Sequence, residues 1–160
     1  MMQLQLRDIE ATEALGRALA ATQAMPAVVH LHGELGAGKS TLARAWLRAL
    51  GVTGAIRSPT YTLVERYPLP DGGEALHLDL YRIGGAGELE FLALDDAADA
   101  LWLVEWPERG GAALPAADLR IDLAMEGAGR SIRLSGATKT GHDWLLRLTK
   151  YGGLQAVADP

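Results

Sequence analysis

A glycine-rich stretch, GELGAGKST at residues 33–41, restricts what this chain can fold into more than any other segment. It follows the apolar, branched run AVVHLH and precedes STLARAWLRAL, whose apolar residues recur at helical spacing until Gly51. The stretch fits the pattern G-x-x-x-x-G-K-[ST] in full, in the strand-loop-helix context that the pattern requires. The sequence therefore predicts a phosphate-binding loop between a buried strand and a helix.

The composition of this loop indicates its ligand. Glycines allow the backbone N–H groups to point inward, and the helix that follows adds the positive end of its dipole. Lys39 supplies a cation for the β- and γ-phosphates of a nucleotide. An ordinary glycine turn is the weaker alternative, given the complete pattern. The residues expected to bind the nucleotide here are Gly33, Glu34, Leu35, Gly36, Ala37, Gly38, Lys39, Ser40 and Thr41.

A bound triphosphate also requires Mg²⁺, and two acids compete to hold it. The Ser40 hydroxyl is one expected ligand, and an acid at the end of a neighbouring apolar strand is the usual second. Glu105 ends LWLVE, the more apolar run, so we assign it to the metal, directly or through water. Asp79 is then free to orient or deprotonate an attacking water. The two roles can be exchanged, and either acid can instead be structural, paired with Arg82 or Arg109.

The segments around the loop carry the periodicities of strands and helices. LQLRD indicates a first strand, and Asp8 can cap a helix that runs to about residue 22. LPDGG joins TYTLVERYP to EALHLDLYR, which predicts a β-hairpin. LWLVEW is the best candidate for a central strand, because only one acid interrupts its apolar run.

The later segments complete the predicted fold. AGELEFLALDDAADA indicates a short acidic helix, DLRIDLAM and RSIRLS alternate as strands, and TGHDWLLRLTK predicts a terminal helix. Together they predict an α/β fold, namely a P-loop NTPase-like three-layer sandwich with a mixed, mostly parallel sheet plus a β-hairpin. We expect residues 1–150 to form a single domain and residues 151–160 to form a tail that need not be ordered.

Charge and composition exclude several classes of function. The net charge is −5 and no basic stripe is visible, so any role on RNA is expected to run through partner proteins. The absence of cysteine excludes disulfides, thiolate zinc sites and thiol catalysis. No signal peptide is visible at the N-terminus, and no apolar run approaches the roughly 18 residues of a membrane helix. We expect a cytoplasmic protein without a membrane partner.

The identity of the base follows from a missing motif. Guanine-specific proteins use an N-K-x-D type motif, but this chain contains no asparagine, and TKTGHD, its nearest variant, lacks the acid at the right place. ATP is therefore favoured over GTP.

Six segments together resemble a known family. GELGAGKST, RSPTYTLVE, LHLDLYR, ELEFLALDD, LVEWPERG and LPAADLRI stand in order along most of the chain and are similar to the TsaE (YjeE) family. The resemblance implies the ATPase of bacterial tRNA threonylcarbamoyladenosine synthesis, which binds and hydrolyses ATP in an assembly with TsaB and TsaD. The modified tRNAs read codons that begin with adenine. Departures are few: Ser40 stands where the family often has threonine, and GGAGELE replaces a more acidic, proline-bearing stretch.

The resemblance also implies roles for individual residues. The loop after the first phosphate-binding helix is a nucleotide-sensing switch in similar proteins, and it falls on residues 58–61, where Thr60 can sense the γ-phosphate. From the residues alone, a proline turn before a strand is equally consistent. The family's metal-linked acid falls on Glu105 and its other essential acid on Asp79, in agreement with the argument from strands.

Three further residues are implied less directly. Arg130 matches a family arginine that contacts the nucleotide, although a hairpin-end arginine is more often solvated. Ile9 and Thr12 lie near the position that flanks the base, although apolar helix residues belong to the core by default.

Two other functions fit the same loop. A small-molecule kinase is the main alternative, but it usually needs an arginine-rich lid, and no clustered arginines are present. A non-hydrolysing ATP-responsive module is the other. His30 and His32 lie two residues apart, as do His77 and Asp79, but the histidines are interpreted as satisfied sheet residues rather than metal ligands. Trp106 is expected to face away from Glu105 and to pack, although at the end of the strand it can also touch the site.

Overall fold

The N-terminal segment folds as its sequence predicts. Asp8 caps the first helix, since its carboxylate accepts a hydrogen bond of 2.9 Å from the backbone N–H of Ala11.

The computed structural model describes residues 1–154. Its helices are α1 (Ile9–Thr22), α2 (Lys39–Ala49) and α3 (Lys139–Lys150). Its strands are β1 (Met2–Leu6), β2 (Ala27–His32), β3 (Val64–Pro68), β4 (Glu74–Asp79), β5 (Leu101–Glu105), β6 (Leu119–Glu126) and β7 (Gly129–Gly136).

All seven strands form one sheet in the order β1-β7-β6-β2-β5-β4-β3. The four inner strands β6, β2, β5 and β4 are parallel neighbours, whereas β7 and β3 pair antiparallel with theirs. Because β1 is antiparallel to β7, it runs with the inner strands, so five of the seven share one direction. The predicted mixed, mostly parallel sheet, its hairpin and the central position of LWLVEW are confirmed.

Alternate residues of β5 pack on opposite faces of the sheet. Leu101 and Leu103 belong to the hydrophobic cluster beneath the three α-helices, whereas Trp102 and Val104 belong to a second cluster. The second cluster is covered by short 3-10 helices, including Ala86–Leu92 and Asp95–Ala97. The acidic segment is therefore helical as predicted, but in short 3-10 turns. In the first cluster, the fully buried rings of Trp46 and Trp144 meet edge to face, 5.6 Å apart.

The sequence prediction fails in part before β3. TYTLVERYP was expected to be extended throughout, but its first four residues form a turn and the strand begins at Val64. Leu63 adopts a positive φ of 68°, its N–H donates to the carbonyl of Pro59, and its carbonyl accepts from the N–H of Asp79. These bonds hold the turn beside the end of β4.

The end of the described chain packs on the protein. Gly152–Leu154 forms a short 3-10 helix and Leu154 is buried in the first cluster. The remaining residues of the predicted tail, 155–160, lie outside the described residues. Within residues 1–154, the helices are too short or too polar to cross a bilayer.

Candidate functional site

The glycine loop connects the end of β2 to the start of α2, and its glycines are required by its shape. Gly33, Gly36 and Gly38 have φ values of 152°, 82° and 106°, which side chains rarely adopt. A Cβ at Gly33 would lie 2.6 Å from the carbonyl oxygen of Leu123, so the loop also passes too close to β6 for any side chain there.

Lys39, the first residue of α2, is 5% exposed and folds back over the loop. Its ammonium group donates to the carbonyls of Gly33 and Glu34 and lies 4.1 Å from the ring centre of Trp106. Burial lowers the pKa of Lys39 below its usual value, and the negative charges of Glu105 and Asp79 oppose that shift. A buried cation thus lies beside the predicted phosphate positions.

Ser40 and Glu105 are in direct contact. The Ser40 hydroxyl lies 2.9 Å and 3.0 Å from the two carboxylate oxygens of Glu105, which ends the central strand β5. Hydroxyl and carboxylate oxygens are ligands that Mg²⁺ prefers. Two such side chains in contact could together hold one cation, directly or through water. The residues therefore fit the magnesium ion that the loop pattern implies.

Asp79 ends β4 directly beside Glu105, because these two residues are partners in the parallel ladder. It is 7% exposed, and one of its oxygens accepts from the backbone N–H of Tyr81. The other lies 3.5 Å from the hydroxyl of Thr60, which also bonds to the Ser58 hydroxyl at 2.7 Å. The turn before β3 therefore brings the predicted switch residue to the predicted water-activating acid.

Arg130 holds the loop from the other side. Its guanidinium donates to the carbonyls of Gly36 and Ala37, at 3.1 Å and 3.0 Å, and to that of Gly129. The side chain is therefore not a solvated hairpin arginine. It occupies carbonyls of the loop, which suits a loop whose N–H groups bind a ligand.

These groups surround one cleft of about 280 Å³. It is lined by Leu35, Gly36, Ala37, Gly38, Lys39, Ser40, Thr41, Thr60, Asp79, Tyr81, Glu105, Trp106 and Arg130. Gly33 and Glu34 support the loop but do not line the cleft. Ile9 and Thr12 line a neighbouring cavity of about 150 Å³, which shares Gly38, Thr41 and Arg130 with the cleft.

Two residues at the site differ in part from their interpretation in the sequence. Trp106 packs against the second cluster as expected, but its φ of 56° breaks the strand alternation. Its ring also lines the cleft, 4.9 Å from the ring of Tyr81. Pro107 has no backbone N–H to donate, so the strand ladder cannot continue through it. His77 is a buried sheet histidine as interpreted, but it is only partly satisfied: its Nε2 lies 2.6 Å from Oε2 of Glu105, and its Nδ1 has no partner within residues 1–154.

The fold and the loop define an α/β protein of the P-loop NTPase class, with the loop at the carboxyl end of a central parallel strand. The family model described as "Threonylcarbamoyl adenosine biosynthesis protein TsaE" matches residues 6–132. The chain belongs to the TsaE family, whose members are involved in tRNA threonylcarbamoyladenosine biosynthesis.

Individual relatives agree with this assignment. The TsaE protein of Haemophilus influenzae is 42% identical over 71% of this chain and 73% of its own length. That of Streptomyces coelicolor is 41% identical over 81% and 91%. The crystal structure of Bacillus subtilis YdiB superposes with a TM-score of 0.76 at 26% identity, over 93% of this chain and 94% of that one.

Proposed function

We propose that this chain binds ATP with Mg²⁺ and hydrolyses it as a cytoplasmic component of the machinery that makes threonylcarbamoyladenosine in tRNAs reading codons that begin with adenine. TsaB- and TsaD-type proteins are its proposed partners, and contact with tRNA is expected to be indirect. The main support is one arrangement: Lys39, Ser40, Glu105 and Asp79 meet at a single cleft, where the glycine loop joins the central strand ends.

Each residue then has a chemical task. Lys39 leaves the carbonyls of its own loop and contacts the β- and γ-phosphate oxygens, while loop N–H groups hold the remaining phosphate charge. Ser40 and Glu105 hold Mg²⁺, which when bound neutralises charge on the β- and γ-phosphates. Asp79, the ladder partner of Glu105, orients a water for attack on the γ-phosphate and accepts its proton.

Thr60 gives this site a way to report its nucleotide. Its hydroxyl is shared between Ser58 and Asp79, so it can exchange either contact for a γ-phosphate oxygen. Release of phosphate would return the turn at residues 58–61 to its present contacts. Partners that touch this turn would then distinguish the two nucleotide states.

The decisive experiment measures phosphate release from ATP by the chain alone, and by the chain with TsaB- and TsaD-type proteins and tRNA. We expect Mg²⁺-dependent release that rises when the partners are added. Binding of ATP without release of phosphate in the complete mixture would contradict hydrolysis. The chain would then be interpreted as a non-hydrolysing ATP-responsive module. Transfer of the phosphate to a small-molecule acceptor would favour the kinase alternative.

A further inference from the structure

His77 is a buried side chain that the proposed mechanism does not use. It lies on β4 and its side chain is 1% exposed, beside a Glu105 side chain that is 3% exposed. Its Nε2 lies 2.6 Å from Oε2 of Glu105, the same oxygen that is 3.0 Å from the Ser40 hydroxyl. His77 therefore contacts the same carboxylate that contacts Ser40, the proposed metal ligand on α2.

The direction of this hydrogen bond follows from the groups present. A carboxylate only accepts, so Nε2 carries the hydrogen and donates it to Glu105. Nδ1 is buried with no partner among the described residues. The only polar contact of this ring within residues 1–154 is therefore the one to Glu105.

The sheet explains how the ring reaches this carboxylate. In the ladder between β4 and β5, His77 stands opposite Leu103 and Asp79 stands opposite Glu105. His77 and Asp79 share a face of β4 because they are two residues apart. Glu105 is thus flanked on one strand by two polar side chains, of which only His77 is hydrogen-bonded to it.

We propose that His77 is a positioning residue for Glu105, and through it for the Mg²⁺ that accompanies ATP; this rests on the proposed function. The ring N–H occupies one carboxylate oxygen and fixes the carboxylate plane, so that Glu105 meets Ser40 with both oxygens. Outer-shell donors of this kind typically change metal affinity by about 10- to 100-fold when removed. His77 touches neither phosphate nor water in this role.

The test compares His77→Leu, which removes the donor but keeps an apolar side chain, with His77→Gln, whose amide N–H can take the place of Nε2–H. The readout is binding of a fluorescent ATP analogue, measured against Mg²⁺ concentration and again in EDTA. We expect His77→Leu to need roughly 10- to 100-fold more Mg²⁺ for half-maximal tightening of binding, with unchanged binding in EDTA. His77→Gln should restore most of the wild-type Mg²⁺ dependence.

His30→Gln, on the neighbouring strand β2, is the matched control, because His30 bonds to the Pro115 carbonyl and not to Glu105. If His77→Leu does not fold, His77→Asn takes its place in the comparison with His77→Gln. The asparagine side chain is too short to reach Glu105. An unchanged Mg²⁺ dependence, or an equal loss with Mg²⁺ and in EDTA, would overturn the proposal. Absence of nucleotide binding by the wild-type chain would instead overturn the proposed function.

Discussion

At the scale of single residues, the site is built around a carboxylate that is out of water. Glu105 is 2% exposed, and burying an ionised carboxylate costs several kcal/mol unless donors surround it. Ser40 and His77 donate to it, and the ammonium of Lys39 lies in the same cleft. Burial of these charged groups is unfavourable as core packing alone. A bound cation and polyphosphate would give the same groups their binding partners.

Lys39→Ala should weaken ATP binding on the order of 100-fold, because a hydrogen bond to a charged group contributes about 1.5–3 kcal/mol. Displacement of a fluorescent ATP analogue at equilibrium measures the change. Lys139→Ala removes an exposed lysine and is the matched control, for which we expect wild-type affinity. Equal affinities for the two variants would show that Lys39 does not contact the nucleotide.

Asp79→Asn should leave ATP binding close to that of the wild type and lower turnover by about 10²- to 10⁴-fold, the usual contribution of a positioned base. Phosphate release in the presence of the partner proteins measures turnover, and calorimetry measures binding. Asp122→Asn makes the same change on β6, away from the cleft lining. Loss of Mg²⁺-dependent binding in Asp79→Asn would indicate that Asp79 and Glu105 have exchanged roles.

Sequence patterns predict some of these residues well and others poorly. Lys39 and Ser40 belong to one contiguous motif, and Glu105 ends an apolar run, so local sequence is sufficient to find them. His77 gains its partner across two strands, 28 positions apart in the chain, which a single sequence does not reveal. Trp106 depends on a backbone turn at the strand end, and alternation fails there.

At the scale of elements, the spacing of α1 and α2 depends on Gly16. A Cβ at this position would lie 2.9 Å from the Cβ of Ala45 and 3.0 Å from the backbone nitrogen of Trp46. The two helices therefore pack closely at this point because residue 16 has no side chain. Since α2 carries Lys39 and Ser40 at its start, this contact also fixes the direction in which the loop is presented.

Gly16→Ala should lower the free energy of unfolding by about 1–3 kcal/mol, the usual cost of an extra methylene in a packed interface, despite the better helix propensity of alanine. Urea unfolding followed by circular dichroism measures it. Glu13→Ala, exposed on the same helix, should change stability by less than about 0.5 kcal/mol. A Gly16→Ala protein as stable as the wild type would contradict the close helix contact.

The histidines of β2 should make stability depend on pH. Burial lowers the pKa of both His30 and His32 below the ordinary value of 6.5. As pH falls through that value, the unfolded chain binds protons that the folded chain does not, so the free energy of unfolding falls. Above it both rings are neutral and this contribution to stability is complete.

Replacement of both histidines by glutamine should therefore flatten the change in stability between about pH 7.5 and about pH 5.5. Urea unfolding at the two pH values measures the slope. His142→Gln, on the exposed surface of α3, should keep the wild-type slope. If the double variant also keeps that slope, the β2 histidines are not the source of the pH dependence.

At the scale of the whole molecule, one sheet brings distant segments to the same edge. The loop after β2, the ends of β4 and β5 and the start of β7 contribute to one cleft, although the residues that line it span positions 35 to 130. Sequence periodicity predicted the strands, and the strand-loop-helix motif predicted which edge carries the site. The fold also gathers Arg17, Arg44 and Arg48 in one groove between α1 and α2, which their scattered positions did not indicate.

The most direct test of this account is calorimetric titration of the wild-type chain with ATP, in Mg²⁺ and in EDTA, with and without the proposed partner proteins. The account predicts a saturable signal for one nucleotide per chain that is stronger in Mg²⁺ than in EDTA. No binding of ATP in Mg²⁺, even with the partners present, would contradict the assignment of this cleft to a nucleotide.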